Sequence, residues 1–330
     1  MSTITEQLGG VDRRTFLRGA AAFLALLAGG RGLAHALGSA STSGVAAAGG
    51  SNFRRIYQDT VLRDRFFLFL QNVFHLYPEE KFHELIIELV AAHETDREIY
   101  EGLLDRLPRI KPTLGALTYA VPALRKQKTE MTNQALQYLG TDAKIDGCVE
   151  VGSPGRYVSE LRHHARIDGP VWVVNDVAPT YGPIDVLERG QVGKLGTWVP
   201  MGNYDPIPAD VPDGGADVVL NFIGFHHCPP ERLEGFVASI RRVLRPGGRL
   251  LLRDHDAGDE EMATLVALAH DVFNAGLLLP WEENSRQVRL FRPIDGWTRY
   301  LRSQGFRASD RTIAQAHDPT RNLLVELVKV

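Results

Sequence analysis

The 330-residue sequence holds only two cysteines, Cys148 and Cys228, and this scarcity excludes a disulfide framework and any zinc set built from thiols alone. Both read as small buried residues. Charge of one sign is equally scarce: 37 Lys and Arg face 40 Asp and Glu, for a formal net charge of -3. Without a dense basic stripe there is no electrostatic footprint for duplex nucleic acid, and no nucleic-acid partner is expected. His75, His83 and His93 do not fall into a His-Glu-x-x-His zinc pattern. The apolar run from Gly19 to Gly30 is shorter than the ~20 residues that a standard spanning helix needs. What is present is 44% apolar residues, enough for one large globular domain and an accessory region.

The first 36 residues differ in kind from the rest. Asp12-Arg13-Arg14-Thr15-Phe16-Leu17-Arg18 precedes the apolar run, and Ala34-His35-Ala36 is a small-x-small site. A cationic segment, a short apolar stretch and a small-residue site in that order resemble a twin-arginine signal peptide, with cleavage expected after Ala36. The resemblance implies the twin-arginine export machinery as a partner and an exported or periplasmic location. An uncut segment would be a membrane anchor, so membrane contact is expected only through this end. Residues 37–50, rich in Gly, Ala and Ser, read as a flexible linker.

Residues 51–140 read as a helical accessory region that covers a substrate site. Ile56, Phe66, Phe67, Leu70, Phe74, Phe82, Leu85, Ile86 and Leu89 recur at spacings of three and four, which predicts two amphipathic helices broken at Pro78. A further helix follows Pro122 and stops at Gly140. The aromatic residues between Phe66 and Phe74 fit a buried helix seam, with an apolar pocket wall as the alternative.

From residue 141 the pattern changes to alternating strands and helices. Glu150-Val151-Gly152-Ser153-Pro154-Gly155 follows a short apolar strand and precedes Tyr157, Leu161 and Ala165 at helical spacing. Strand, tight turn and helix in sequence present free N–H groups to a ligand where glycines remove side chains. Val171 to Val174 forms a second strand ending at Asn175-Asp176, about twenty residues past the turn, where an acid can accept hydrogen bonds from ribose hydroxyls. Strands at Gly196–Pro200 and Ala216–Phe222, a helix from Pro230 to Leu244, a strand starting at Leu250 after Pro246-Gly247-Gly248, a helix ending at Gly305 and a last strand over Leu323–Val330 complete the series.

The strings VEVGSPG, VVNDV, DVVLNFIGFHH, RVLRPGGRLLLRDHD and WTRYLRSQGF occur in the order and spacing of class I S-adenosylmethionine-dependent methyltransferases, which residues 145–330 resemble. The resemblance implies an α/β fold with a doubly wound, mostly parallel seven-stranded Rossmann-like sheet, here over residues 141–330, and S-adenosylmethionine as cofactor. It places Glu150, Gly152, Ser153 and Gly155 around the amino acid and ribose of the cofactor and Asp176 on the ribose hydroxyls. Val177, Asn203 and Tyr204 would border the adenine, and Asn221 and Phe222 the reacting methyl group. The loop departs from the family's Glu-x-Gly-x-Gly-x-Gly, because Pro154 and Arg156 stand at two glycine positions.

Methyl transfer is an in-line displacement, so the protein aligns a nucleophile and needs a base only for an acceptor that holds its proton at ambient pH. His226-His227 and Asp254-His255-Asp256 lie past the ends of neighbouring strands, where open α/β sheets bind ligands. His227 and His255 are the candidate bases. The same groups suit a divalent metal, although none is assigned. His163 and His164 are expected to face solvent. The function expected is therefore a methyltransferase acting on a small molecule. Its alternatives are an exported non-catalytic S-adenosylmethionine or nucleoside-binding protein, motivated by the lack of cofactor supply outside the cytoplasm, and a nicotinamide-dependent oxidoreductase.

Overall fold

A computed structural model describes residues 50–110, 121–178, 186 and 193–330. The signal-like segment 1–36 and the linker up to residue 49 lie outside the described residues.

The accessory region is more finely divided than the apolar spacing predicts. Helix α1, Asn52–Gln58, starts where the Ser51 side chain accepts from the Arg54 N–H. Asp59 then accepts from the N–H groups of Val61 and Leu62 and starts α2, Thr60–Phe69, one residue after α1 ends. A π-helical turn, Leu70–Phe74, follows and stops at His75, whose φ of 43° is left-handed. Helix α3, Glu79–Ala92, begins after Pro78 as expected. Helix α4, Asp96–Ile110, was not anticipated, yet its start is a capping box: Glu98 accepts from the Thr95 N–H while Thr95 Oγ1 accepts from the Glu98 N–H. Helix α5, Val121–Leu139, ends before Gly140.

The α/β part begins with a two-residue strand β1, Lys144–Ile145, paired with β3, Arg166–Ile167. The main elements are β2 (Cys148–Val151), α6 (Arg156–Leu161), β4 (Val171–Val174), β5 (Thr197–Val199), β6 (Ala216–Asn221) and α7 (Pro230–Val243). These are followed by β7 (Leu244–His255), α8 (Glu260–Gly276), α9 (Trp281–Asn284), α10 (Ile294–Ser303), β8 (Phe306–Ala314) and β9 (Asn322–Lys329). Seven strands form one sheet in the order β5-β4-β2-β6-β7-β9-β8. Pairing is parallel from β5 to β7, and β9 is antiparallel to both β7 and β8. This is the doubly wound, mostly parallel Rossmann-like sheet that the sequence implies.

Alternate residues along the strands feed two cores, as the two-residue period of a strand requires. Val149, Val151, Trp172, Val219 and Leu250 face α7 and α10. Cys148, Val171, Val173, Val218 and Leu251 face α5 and α6. A third core joins the accessory helices to α8, with Phe66, Tyr100 and Leu103 beside Leu265, Leu268 and Val272. The Pro246-Gly247-Gly248 segment lies inside β7 as an irregularity, because Ala216 pairs with Leu244 while Val218 pairs with Arg249. Helix α7 thus passes directly into the strand at Leu244, six residues before the predicted start. Both cysteines are free and buried. No helix among the described residues is long and apolar enough to cross a membrane.

Candidate functional site

Strand β2 pairs with β4 on one side and β6 on the other, so the strand order reverses there and a crevice opens beyond their carboxyl ends. The turn after β2 is organised by Glu150, which is fully buried. Its carboxylate accepts from Ser153 Oγ, from the N–H groups of Gly155 (3.2 Å) and Tyr157 (3.4 Å), and from the Val158 N–H at 2.7 Å. Burial raises this carboxyl above its ordinary value, against the hydrogen bonds and the Arg156 guanidinium, which lower it. Gly152 and Gly155 have φ of 78° and 94°. A methyl group on Gly152 would lie 2.1 Å from Ile223 Cδ1, so the side chain closest to this glycine belongs to the strand end next door.

At the neighbouring strand ends, Asp176 is half-buried and accepts from the Asn203 N–H at 3.2 Å. Val177 is exposed. Tyr204 is buried, its ring edge-on to Phe236 at 5.2 Å. Asn221, at the end of β6, is fully buried, and neither atom of its amide has a hydrogen-bonding partner among the described residues.

Beside the turn lies a cavity of about 210 Å³ between the accessory helices and the sheet. Ser153 and Phe222 border it from the sheet, Phe69 and Val73 from α2 and the π-turn, and Gln127 from α5. Its far wall carries His226, His227, His255 and His270. His226 Nδ1 is 2.7 Å from the Asp254 carboxylate. That carboxylate also accepts from the N–H groups of Phe225 and His255, each at 2.8 Å. Burial pulls the Asp254 carboxyl up, but the His226 and His255 rings and these bonds together hold it below its ordinary value. Burial holds His227, His255 and His270 below theirs, so these rings are neutral at pH 7.

Residues 189–252 match the family model described as "Methyltransferase domain". The match runs through β5, β6 and α7 into β7 and includes Asn203, Asn221 and His227. The chain is similar to "Probable methyltransferase PMT16" of Arabidopsis thaliana, with 30% identity over 168 residues, 45% of this chain and 24% of that protein. It is also similar to "Highly reducing polyketide synthase bet1" of Neocamarosporium betae, with 32% identity over 109 residues, 32% of this chain and 4% of that protein. The chain thus spans about a quarter of the length of the first relative and far less of the second. Among solved structures it is similar to the Burkholderia thailandensis 1,6-didemethyltoxoflavin-N1-methyltransferase, with 15% identity and a TM-score of 0.41, covering 72% of this chain and 92% of that one. These matches lend no support to the oxidoreductase or the non-catalytic binding protein.

Within and around the segment that matches this family model, the fold gathers Ser153, Phe222, His227 and His255 at one cavity. It sets Gly152, Asp176, Asn203 and Asn221 at adjoining strand ends and buries the Tyr204 ring in the core. His163 and His164 are exposed, just past the end of α6. Asp256 accepts from the Ile294 N–H and pairs with Arg321. His270 is the site residue that sequence reasoning missed. It stands alone in an apolar helix with no motif around it, and only the tertiary packing of α8 brings it to His226.

Proposed function

We propose that the chain is an S-adenosylmethionine-dependent methyltransferase that acts on a small molecule. The observation that carries this reading is the fully buried, partnerless amide of Asn221 at the strand-order reversal, inside the segment that matches a methyltransferase domain. Buried amides without partners are rare, and this one fits a polar ligand held at the strand end. Gly152, Ser153 and Asp176 would hold the amino acid and ribose parts, and Val177 and Asn203 would border the adenine. S-adenosylmethionine supplies, when bound, a methyl carbon activated by its sulfonium. The residues around it would hold an acceptor atom in line with that carbon, and an acceptor that carries a proton would need a base of this chain to take it.

The chain's own part is to orient and to exclude water. Phe69, Val73 and Phe222 wall the cavity, which suits a compact acceptor. His227 and His255, neutral at pH 7, can accept a hydrogen bond or a proton there, although their low basicity makes them weak bases. His226 is fixed by Asp254, which orients its ring.

The N-terminal segment is proposed as a twin-arginine signal; Arg13→Lys with Arg14→Lys should then keep the protein in the cytoplasm, and unchanged fractionation rejects it. Calorimetry of the full chain with S-adenosylhomocysteine should show binding, weakened at least about tenfold by Asp176→Ala through loss of about 1.5–3 kcal/mol of ribose contact. Absence of binding to the parent protein rejects the cofactor. A methyl-donor assay against cell extract, with mass analysis of the products, identifies the acceptor.

A further inference from the structure

We infer that His226, His255 and His270 form a binding site for one divalent transition-metal ion that opens onto the cavity. The inference does not rest on methyl transfer, and a bound ion takes up the His255 lone pair, which leaves His227 as the candidate base. The three residues come from three elements: the segment after β6, the end of β7 and the middle of α8. Their ring centroids stand 5.3, 5.1 and 5.3 Å apart in the three pairs. One ring nitrogen from each lies within 4.8 Å of the others.

The hydrogen bonds set which nitrogens are left to bind an ion. His255 Nδ1 is 3.0 Å from the Thr320 carbonyl oxygen and His270 Nδ1 is 2.8 Å from that of Val266. A carbonyl oxygen only accepts, so each Nδ1 carries the hydrogen and donates it. His226 Nδ1 donates likewise to Asp254 at 2.7 Å. With Nδ1 carrying the hydrogen in each ring, Nε2 is the nitrogen left to offer a lone pair to an ion. The Nε2 atoms of His226 and His270 are 3.2 Å apart, and two lone pairs at that distance repel unless a cation lies between them. Two imidazoles on a tetrahedral ion with metal–nitrogen distances of about 2.0–2.1 Å stand about 3.3 Å apart, close to this spacing. A shared proton would satisfy two of the rings and leave His255 without a role.

The surroundings match those of imidazole ligands, whose second nitrogen is usually tied to a carboxylate or carbonyl. Asp254 is held in turn by the Phe225 and His255 N–H groups. Helix α8 is fixed one residue past His270, where Asp271 accepts from Arg289 and Asn284, each at 2.8 Å. Three neutral nitrogens suit zinc, iron, nickel or copper better than magnesium or calcium. These neutral ligands leave the ion's charge uncompensated, so the open position on the cavity favours an anionic ligand such as hydroxide, thiolate or phenolate.

The test is titration of the chelator-stripped full chain with Co²⁺, followed by its visible absorption, with Zn²⁺ as competitor. One equivalent should bind and be displaced by Zn²⁺. His270→Ala should lose the spectrum, while His317→Ala, at the exposed rim of the same cavity, should keep it. Asp254→Asn retains the three ligands and should bind about 10- to 100-fold more weakly. Should His270→Ala not fold, His270→Cys serves, since a thiolate ligand adds a charge-transfer band to the cobalt spectrum. Failure of the native chain to bind Co²⁺ and Zn²⁺, or unchanged stoichiometry in folded His270→Ala, overturns the site and leaves a proton shared between His226 and His270.

Discussion

Replacing Gly152 with alanine sets a methyl group against the strand end that walls the cavity. The φ of 78° is one that an L-residue adopts at a cost of about 1–2 kcal/mol. The new Cβ would also sit 2.1 Å from Ile223 Cδ1 and 2.7 Å from its Cγ1. Because Ile is branched at Cβ and stiff at χ1, the clash cannot be relieved by turning only the far methyl, and overpacking of this kind costs about 1–3 kcal/mol. Gly152→Ala should therefore destabilise the protein by about 2–5 kcal/mol. Ile223→Ala removes both clashing atoms, so the double variant keeps only the backbone strain of the first change. In urea unfolding the two substitutions should couple favourably by about 1–3 kcal/mol. Additivity within about 0.5 kcal/mol would refute the packing account and return Gly152 to a residue kept small for a ligand alone.

Two further outcomes follow from burial. His227, His255 and His270 are held below their ordinary value of 6.5 in the fold, so the unfolded chain takes up protons first as pH falls. The stability they confer is complete above pH 6.5 and declines below it, by up to about 1.4 kcal/mol per pH unit for each ring. Urea midpoints of chelator-treated protein that stay flat from pH 7 to about pH 5 contradict this. Burial pushes the Cys228 thiol up to about 12 and Cys148 higher still, so neither should react with a thiol reagent at pH 8 until the chain is unfolded, when both should. Rapid labelling of the native protein would show that a cysteine is accessible.

Much of the fold is legible in the sequence because it is written in local terms. The Glu150–Gly155 turn, the apolar strands and the helix stops at Gly140 and Gly305 each follow from neighbours within a few residues. So does the capping box of Thr95 and Glu98, which starts α4. Asp59, as a helix start one residue past a helix end, is harder, since the apolar spacing runs through it uninterrupted. Strand β8 was not expected as a separate element, and its hydrophobic pattern is weak: Asp310, Arg311 and Thr312 are exposed.

The sequence by itself determined the strand–turn–helix order, the parallel sheet and the strand ends at which polar residues collect, because each depends on periodicity and short-range turn chemistry. It also placed His226, His227 and His255 after two particular strands. Only the tertiary structure decided what those residues do together. Packing of the accessory helices on α8 closes the cavity, and the seating of α8 sets His270 against His226 across 44 residues of chain. Nitrogens contributed from so far apart converge through side-chain packing and buried hydrogen bonds, and no local pattern records that convergence.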